Sequence, residues 1–386
     1  MRAAARSAVV VGAGIGGLAV AGGLARTGWQ VTLLERSERL RAEPTALLLW
    51  PGGVRALRTL GLGAGLAEIA TPVPDAGLRR PDGRWLVQPR PAPDDPPLLA
   101  HAQDLHDSLV AGLGDRVEIR TSVTARPAPG AGPAVTDGRR TWQADLVVAA
   151  DGADSTLRDM VAPGCVAAAA GATSWRAVIP WYRAPADVAM PVLTQGGGYR
   201  FRAAALGERS QTGASGRGGL YWSVTGPGAL RPESAATQLG LLRRWLADWH
   251  QPVTRLLAAT EAVDLVPREL RALRPPPRRL AIPVDTGAVV LLGDAAHTIA
   301  DHLGQGACLA AEDAASLVAA VRTAVPGGEL RAAVAAYARA RLARAARVRR
   351  MSGRLAAGGP VAGLAVVQAR RQRRAVTTAA GWHPPP

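Results

Sequence analysis

The sequence predicts an α/β protein with a larger domain built on a parallel sheet and a smaller domain built on an antiparallel sheet. The stretch 8–36 has the pattern of a buried strand, a glycine-rich turn, a helix and a second strand that ends in an acid. Two further apolar strands, at 146–150 and 289–292, run directly into Asp-Gly and Gly-Asp pairs. Residues 172–225 form short apolar runs broken by glycines, which is typical of antiparallel strands joined by turns. The first two observations predict the larger domain, and the third predicts the smaller one.

The first stretch indicates a Rossmann-like dinucleotide site. Gly12 allows the tight turn, Gly14 lets the backbone approach a pyrophosphate, and Gly17 lets the helix pack close to the strand. Glu35 is placed to accept hydrogen bonds from ribose hydroxyls. A glycine-rich turn without a ligand is the alternative, but strand, helix, strand and acid all agree with the nucleotide. The predicted cofactor-binding residues here are Gly12, Gly14, Ile15, Gly16, Gly17, Glu35 and Arg36.

The two later strands end in loops that suit the rest of a nucleotide cofactor. A carboxylate such as Asp294 can accept from a ribityl hydroxyl, and the backbone N–H groups of a glycine-opened helix can receive a polarised ring oxygen. The predicted cofactor-binding residues in these loops are Asp151, Gly152, Gly293, Asp294, Gly304, Gln305 and Gly306.

The formal net charge of +16 is concentrated at one end of the chain. Twelve arginines lie between Arg331 and Arg374, and no acid follows Glu329. A basic segment of this kind could contact nucleic acid. However, the arginines alternate with alanines, so we interpret them as the solvated face of a terminal helix and expect no nucleic-acid partner. The arginines of this pattern are Arg339, Arg341, Arg344, Arg347 and Arg350.

Targeting and metal signals are weak. Glycines interrupt the apolar run after the basic start, which argues against an export signal, and no stretch supplies the ~18 uncharged apolar residues of a membrane span. Cys165 and Cys308 cannot form a disulfide framework, and the six histidines show no metal-ligand spacing. We therefore expect a cytoplasmic protein without a metal site.

With its three motifs in this order, the chain resembles the FAD-dependent aromatic hydroxylases, the p-hydroxybenzoate hydroxylase type of flavoprotein monooxygenase. The resemblance runs from about Ala8 to about Ala340, with weaker matches at 49–62, 104–106 and 171–176. It implies a three-layer ββα FAD-binding domain, an inserted antiparallel sheet that covers the substrate, and C-terminal helices. The implied boundaries are 1–70, 98–165 and 280–330 for the FAD-binding domain, 71–97 and 166–279 for the substrate-binding sheet domain, 331–375 for the arginine-rich helical segment, and 376–386 for a tail.

The resemblance also implies a function. FAD is bound, NAD(P)H serves as a transient reductant, and one oxygen atom is transferred to a small aromatic or polyketide-like molecule of secondary metabolism, by hydroxylation or epoxidation. A monomer or a homodimer is expected. The candidate substrate-binding residues are Trp50, Arg176, Tyr199, Tyr221 and Trp222. Core packing is the alternative for the sheet aromatics, and for Arg176, Arg200 and Arg202 a solvent-facing position is the alternative to contact with an anionic or phenolate substrate.

Several positions depart from the family pattern. Ala102 stands where the family has an arginine, Pro44 begins a segment that is Gly-x-Gly in the family, and Thr298, Asp301 and His302 replace residues of the loop beside the flavin ring. One interpretation is drift in a working hydroxylase.

A second interpretation is that the surroundings of the flavin ring have been rebuilt, with Asp301 and His302 as an acid/base pair. Two alternatives to oxygenation stay open: a cyclase, isomerase or oxidase that keeps FAD mainly as structure, and a flavin-free cyclase or binding protein. A flavin halogenase is excluded, because the chain has no lysine and no Trp-x-Trp-x-x-Pro sequence.

Overall fold

The computed structural model describes residues 6–91, 93–130, 132–207, 217–285, 287–300, 302–356, 374, 378 and 381–384. Its strands are β1 (Ser7–Val11), β2 (Gln30–Leu34), β3 (Ala46–Leu49), β4 (Ala70–Pro72), β5 (Leu78–Arg79), β6 (Trp85–Val87), β7 (Leu98–His101), β8 (Val117–Arg120), β9 (Arg126–Pro127), β10 (Ala134–Thr136), β11 (Thr141–Gln143), β12 (Leu146–Ala149), β13 (Val166–Pro180), β14 (Val192–Gly196), β15 (Tyr199–Leu206), β16 (Gly219–Pro227), β17 (Val266–Arg274), β18 (Ala281–Val284) and β19 (Gly287–Leu291).

The helices are α1 (Ile15–Arg26), α2 (Pro51–Thr59), α3 (Leu66–Ile69), α4 (Ala102–Ala111), α5 (Arg158–Val161), α6 (Ala235–Trp245), α7 (Gln251–Ala259), α8 (Asp294–His297), α9 (Gly306–Val321) and α10 (Gly328–Ala356), with a 3₁₀ turn at Ala262–Asp264. Among the described residues, no helix combines the length and the apolar character needed to cross a bilayer.

The larger domain is organised around a six-stranded sheet in the order β18-β19-β12-β1-β2-β8. Its strands pair in parallel except for β18, which is antiparallel to β19. The central strands are continuous apolar runs because both faces of a parallel sheet are buried. Residues of α1, α9 and the small β9–β11 sheet share one core with it. The predicted α/β fold with a Rossmann-like domain is confirmed.

The smaller domain is a seven-stranded sheet in the order β17-β13-β16-β15-β14-β5-β6. One face packs on α6 and α7 to form a second hydrophobic core. Trp222 and Phe201 stack in this core with ring centroids 5.6 Å apart. The Trp222 Nε1 donates a hydrogen bond to Thr260 Oγ1 at 2.9 Å, so the indole is fully satisfied inside the core.

The C-terminal helix corrects one expectation. Arg339, Arg347 and Arg350 are exposed on α10, as the solvated-face interpretation requires. Arg341 and Arg344 are only 1% and 7% exposed, so for these two the interpretation is wrong. The physical reason is that acidic residues of α9 lie against them, as described below.

Candidate active site

The glycine turn after β1 leaves an open space at Gly14. A Cβ atom on Gly14 would meet no atom within 4 Å, whereas one on Gly12 would lie 2.4 Å from the carbonyl oxygen of Ala150 and one on Gly17 would lie 1.8 Å from the carbonyl oxygen of Gly12. Gly12 also has φ +102°, a conformation that favours glycine. Packing therefore requires Gly12 and Gly17, while the space at Gly14 suits a phosphate at the N-terminus of α1.

Glu35 closes this turn from the end of β2. Its carboxylate accepts hydrogen bonds from the backbone N–H groups of Ala13 and Ser37, both at 2.8 Å. Burial alone would raise the pKa of Glu35, but these hydrogen bonds outweigh it and the pKa lies below its ordinary value. The charged carboxylate keeps further lone pairs for a ribose hydroxyl. Arg36 is exposed, and Ile15 is the first residue of α1.

Asp151 and Gly152 follow β12 and are held by Arg158, which was not among the predicted site residues. The Arg158 guanidinium is buried and donates to the carbonyl oxygens of Gly152 at 3.1 Å, Ala153 at 2.7 Å and Ala295 at 2.8 Å. It thereby ties the loop after β12 to the loop after β19. The available signal was an arginine seven residues after Asp151, on the turn beyond the strand.

One oxygen of Asp151 is left for a ligand. Its Oδ2 accepts from the backbone N–H groups of Thr156 at 2.9 Å and Leu157 at 3.3 Å. Its Oδ1 is buried and has no hydrogen-bond partner among the residues that the structure describes. A buried acceptor without a partner is costly, so a donor from a bound molecule would be stabilising here.

Gly293 and Asp294 lie where β19 runs into α8. Gly293 has φ +63°, and its N–H donates to Asp313 Oδ2 at 2.9 Å. Asp294 is exposed at the first position of α8, so its carboxylate is accessible to a ligand hydroxyl.

A buried group of charged side chains supports this turn, and we call it the Asp313 cluster: His297, Glu312, Asp313, Arg341 and Arg344. Asp313 contacts His297 Nε2 at 2.6 Å and accepts from Arg341 Nε at 2.5 Å. Glu312 accepts from Arg341 Nη2 at 3.1 Å and from Arg344 Nε and Nη2 at 2.8 and 2.7 Å. The cluster joins α10 to α9 and, through Asp313, to the turn after β19.

The ion pairs of the Asp313 cluster determine the protonation states of Asp313 and His297. Burial alone would raise the pKa of Asp313, but His297 and Arg341 outweigh it and lower the pKa to about 2. Burial would lower the pKa of His297, but the Asp313 carboxylate outweighs it and the pKa is raised. Asp313 is therefore ionised at neutral pH and favours the protonated imidazole.

A polar compartment of about 60 Å³ lies where the N-terminus of α9 meets β3 and the seven-stranded sheet. Gly304 and Gly306 line it, and Gln305 between them is buried. His302 also lines it, while Asp301 lies outside the described residues. The first N–H groups of a helix have no partner within the helix, so the start of α9 offers donors at this compartment.

An apolar compartment of about 340 Å³ adjoins the polar one. Four residues line both: Leu48, Arg200, Arg202 and Tyr221. Trp50 lines the apolar compartment, and its Nε1 donates to the carbonyl oxygen of Leu303 at 3.2 Å. The indole therefore connects this wall to the loop before α9.

Strand register decides which sheet residues reach these compartments. Arg176 and Arg202 both pair with Ser223, so the three share the face that lines the polar compartment. Trp222, the next residue, lies on the opposite face. Tyr199 is also on that side, 5.9 Å from Trp245. The structure thus corrects the substrate-binding prediction for Trp222 and Tyr199, which pack in the smaller domain, and places Arg176, Tyr221 and Trp50 at the compartments.

Ala102, which stands where the family has an arginine, lies close to a cation from another part of the chain. Ala102 begins α4, is buried, and donates its N–H to the carbonyl oxygen of Thr45 at 2.8 Å. Arg217, which precedes β16, donates to the carboxylates of Asp104 and Asp107 on the first turns of α4. A cation from the inserted domain therefore lies at this end of α4.

These residues fit FAD. The open space at Gly14 suits the pyrophosphate, and the carboxylates of Glu35, Asp151 and Asp294 are acceptors that suit the hydroxyl groups of the ribose and the ribityl chain. Residues 6–179 and 248–352 match the family model described as FAD binding domain. The chain belongs to this family of flavin-dependent enzymes and is an FAD-dependent oxidoreductase.

Similar proteins are flavin-dependent monooxygenases. The chain is 30% identical over 355 residues to the aurachin C monooxygenase/isomerase of Stigmatella aurantiaca, covering 87% of this chain and 85% of the relative. It is 33% identical over 363 residues to the 3-amino-4-hydroxybenzoate 2-monooxygenase of Streptomyces cremeus, covering 90% and 86%. The crystal structure of Klebsiella pneumoniae HpxO with FAD and uric acid matches with a TM-score of 0.81 at 25% identity, covering 97% of this chain and 96% of that one.

Proposed function

We propose that the chain is an NAD(P)H-dependent FAD monooxygenase that hydroxylates or epoxidises a small aromatic or polyketide-like molecule of secondary metabolism. The observation that carries the proposal is the polar compartment, which lies between the N-terminus of α9 and the inserted sheet and opens onto an apolar compartment of about 340 Å³. Bound FAD supplies electron transfer from NAD(P)H and activation of dioxygen. The apolar walls exclude water from the bound substrate, which limits unproductive reactions.

The residues have distinct proposed roles. The turn at Gly14 binds the pyrophosphate, Glu35 the ribose and Asp294 the ribityl chain. The N–H groups at the start of α9, from Gly306 onward, stabilise negative charge on the flavin ring. The remaining proposed cofactor contacts are Gly12, Ile15, Gly16, Gly17, Arg36, Asp151, Gly152, Gly293, Gly304 and Gln305.

Trp50, Arg176 and Tyr221 are the proposed substrate contacts. Tyr221 is 8% exposed and lines both compartments, so its side chain is in position to contact a substrate held there. Trp50 supplies an aromatic surface, and Arg176 supplies a cation next to the polar compartment.

His302 is a proposed acid/base residue, together with Asp301. A histidine at the polar compartment suits proton exchange with a substrate hydroxyl near neutral pH. The test is the Asp301→Asn and His302→Gln double variant. We expect a loss of turnover with a changed pH profile, whereas unchanged turnover would refute the role.

The first experiment is an absorption spectrum of the purified protein from about 300 to 550 nm, with NADPH then added anaerobically. We expect flavin bands that bleach, and one labelled oxygen atom in the product when ¹⁸O₂ is admitted with a substrate panel of hydroxylated aromatics. A product of unchanged mass would instead indicate the cyclase or isomerase alternative. No bound flavin even after addition of FAD would refute the proposal.

A matched pair of variants tests the cofactor assignment. Asp294→Ala removes the exposed carboxylate at the start of α8, so we expect flavin retention to fall at least about tenfold, the effect of one lost hydrogen bond to a charged group. Asp248→Ala removes an exposed carboxylate from the smaller domain and is the control, with no effect on flavin retention.

A further inference from the structure

A histidine of α4 contacts the glycine turn after β1. His106 is 2% exposed, and its Nε2 lies 2.9 Å from the carbonyl oxygen of Ala13. A carbonyl oxygen can only accept a hydrogen bond, so Nε2 carries the proton and donates it. The other ring nitrogen, Nδ1, is buried and has no hydrogen-bond partner among the residues that the structure describes. The hydrogen bond to Ala13 therefore links α4 directly to the glycine turn.

Ala13 is held at both of its backbone polar groups. Its N–H donates to Glu35 Oε2 at 2.8 Å, and its carbonyl oxygen accepts from His106. Ala13 is only 4% exposed, so the loss of either hydrogen bond would leave a buried backbone group unsatisfied. Glu35 follows β2 and His106 belongs to α4, so two elements that are far apart in the chain fix the backbone of one residue in the turn.

The orientation of the Ala13 carbonyl also sets that of the next N–H group. The carbonyl of Ala13 and the N–H of Gly14 belong to one planar trans peptide, so they point in opposite directions. Because the carbonyl points to α4, the Gly14 N–H points away from α4. As the N-cap residue of α1, Gly14 has no acceptor for this N–H within the helix. A Cβ atom on Gly14 would meet no atom within 4 Å, and this open space suits a phosphate oxygen as the acceptor.

We infer that His106 is a positioning residue for the cofactor: through the Ala13 carbonyl, it holds the Gly14 N–H in the orientation that donates to the pyrophosphate of FAD. This inference rests on the proposed function, since it adds a supporting residue to the cofactor contacts proposed at this turn. His106 acts through one peptide unit and does not itself contact the cofactor. Removing its N–H donor should therefore weaken binding of the pyrophosphate and leave binding of the flavin ring intact.

The test compares FAD with riboflavin as ligands of the flavin-free, full-length protein. Riboflavin has the same ring and ribityl chain as FAD but no phosphate. His106→Phe keeps an aromatic ring and removes the donor, and we expect it to weaken FAD binding by about 10- to 100-fold, the range for one hydrogen bond to a charged group. Riboflavin binding should stay unchanged. Quenching of flavin fluorescence measures both affinities.

A conservative variant and a control separate positioning from loss of structure. His106→Gln places an amide N–H at about the reach of the imidazole Nε2, so it should restore most of the FAD affinity. His250→Phe is the control, because His250 Nε2 makes a similar contact with Thr194 Oγ1 at 2.7 Å but lies in the smaller domain. It should alter neither affinity. Thermal unfolding without ligand shows whether each variant is folded, and if His106→Phe is not, His106→Met serves instead with the same expected result.

Three results would each overturn the inference. One is an unchanged FAD affinity in His106→Phe. The second is a loss of riboflavin affinity as large as the loss of FAD affinity, which would indicate a general structural role for the histidine. The third is a folded His106→Gln variant that binds FAD no better than His106→Phe. These titrations use neither NAD(P)H nor dioxygen, so failure of the monooxygenase proposal is detected separately, as the absence of NAD(P)H-dependent oxygen uptake.

Discussion

Replacing Arg341 by Met tests the role of the Asp313 cluster in holding the fold together. Arg341 is 1% exposed and bonds to both Asp313 and Glu312. Removing one partner of a buried ion pair costs about 3–5 kcal/mol, since the remaining charge is buried without compensation. Glu312 keeps its two bonds from Arg344, so we expect the lower part of that range.

The assay is thermal unfolding at saturating FAD, followed by circular dichroism. For a chain of this length, a loss of about 3 kcal/mol lowers Tm by about 4 °C. The loss should be smaller at pH 6 than at pH 8.5, because a protonated His297 then compensates the Asp313 carboxylate. Arg339→Met on the exposed face of the same helix is the control, with a change within about 0.5 kcal/mol.

A double-mutant cycle measures the interaction between Asp313 and Arg341. Asp313→Asn removes the charge that Arg341 compensates, so the Asp313→Asn, Arg341→Met double variant should be about 1–3 kcal/mol more stable than the sum of the single losses predicts. Strict additivity, or an Arg341→Met variant as stable as Arg339→Met, would show that the cluster is not energetically coupled.

Three further predictions concern pH, the glycine turn and the smaller core. The pKa of His297 is raised in the folded protein, so the stabilisation that its protonation contributes is complete below the unfolded pKa of 6.5 and is lost as the pH rises through the folded pKa. The difference in free energy of unfolding in urea between the wild type and His297→Asn should therefore shrink from pH 6 to pH 9. A difference that stays constant would contradict this prediction. Gly14→Ala should fold normally, because the added Cβ meets no atom within 4 Å, but it should lose FAD affinity. Gly17→Ala should fold poorly with or without FAD. If the two variants gave the same results in calorimetry and in flavin titration, this prediction would be wrong. Trp222→Ala should cost about 3–5 kcal/mol in denaturant unfolding, the usual loss for a buried tryptophan, and leave the KM of the refolded enzyme unchanged; a selective rise in KM would restore Trp222 as a substrate contact.

The turns after β1 and β19 could be predicted because their geometry is encoded within a few neighbouring residues. Gly12, Gly14 and Gly17 have separate steric reasons that hold in any strand–turn–helix unit. The same is true of Asp294, which lies three residues after the end of the buried strand β19. These parts of the site need no knowledge of distant contacts.

The substrate-contacting residues could not be predicted with the same certainty. Alternation along a strand shows which side chains share a face of the sheet, but it does not show which face lines the compartments. Tyr221 and Trp222 are neighbours, so only one of them can reach the compartments, and the choice depends on which face α6 and α7 cover. For the same reason, the sequence does not decide whether Arg200, which follows Tyr199, contacts the substrate or faces solvent.

The sequence predicts a surface position for Arg341 and Arg344 because the arginines of this segment alternate with alanines. Glu312 and Asp313, the acids that pair with them, lie about thirty residues earlier on α9, and only the packing of α10 on α9 brings the charges together. A pattern read along one helix does not contain that contact.

The order of these elements along the chain has a consequence for biosynthesis. While the ribosome has released the chain only as far as α9, Glu312 and Asp313 have been made, but the guanidinium groups that neutralise them have not. Domains fold from the N-terminal end as they emerge, so until α10 is added Asp313 has the earlier His297 as a charged partner, whereas both arginines that pair with Glu312 are still missing. The buried charge of Glu312 is therefore neutralised only once α10 has been added to the chain.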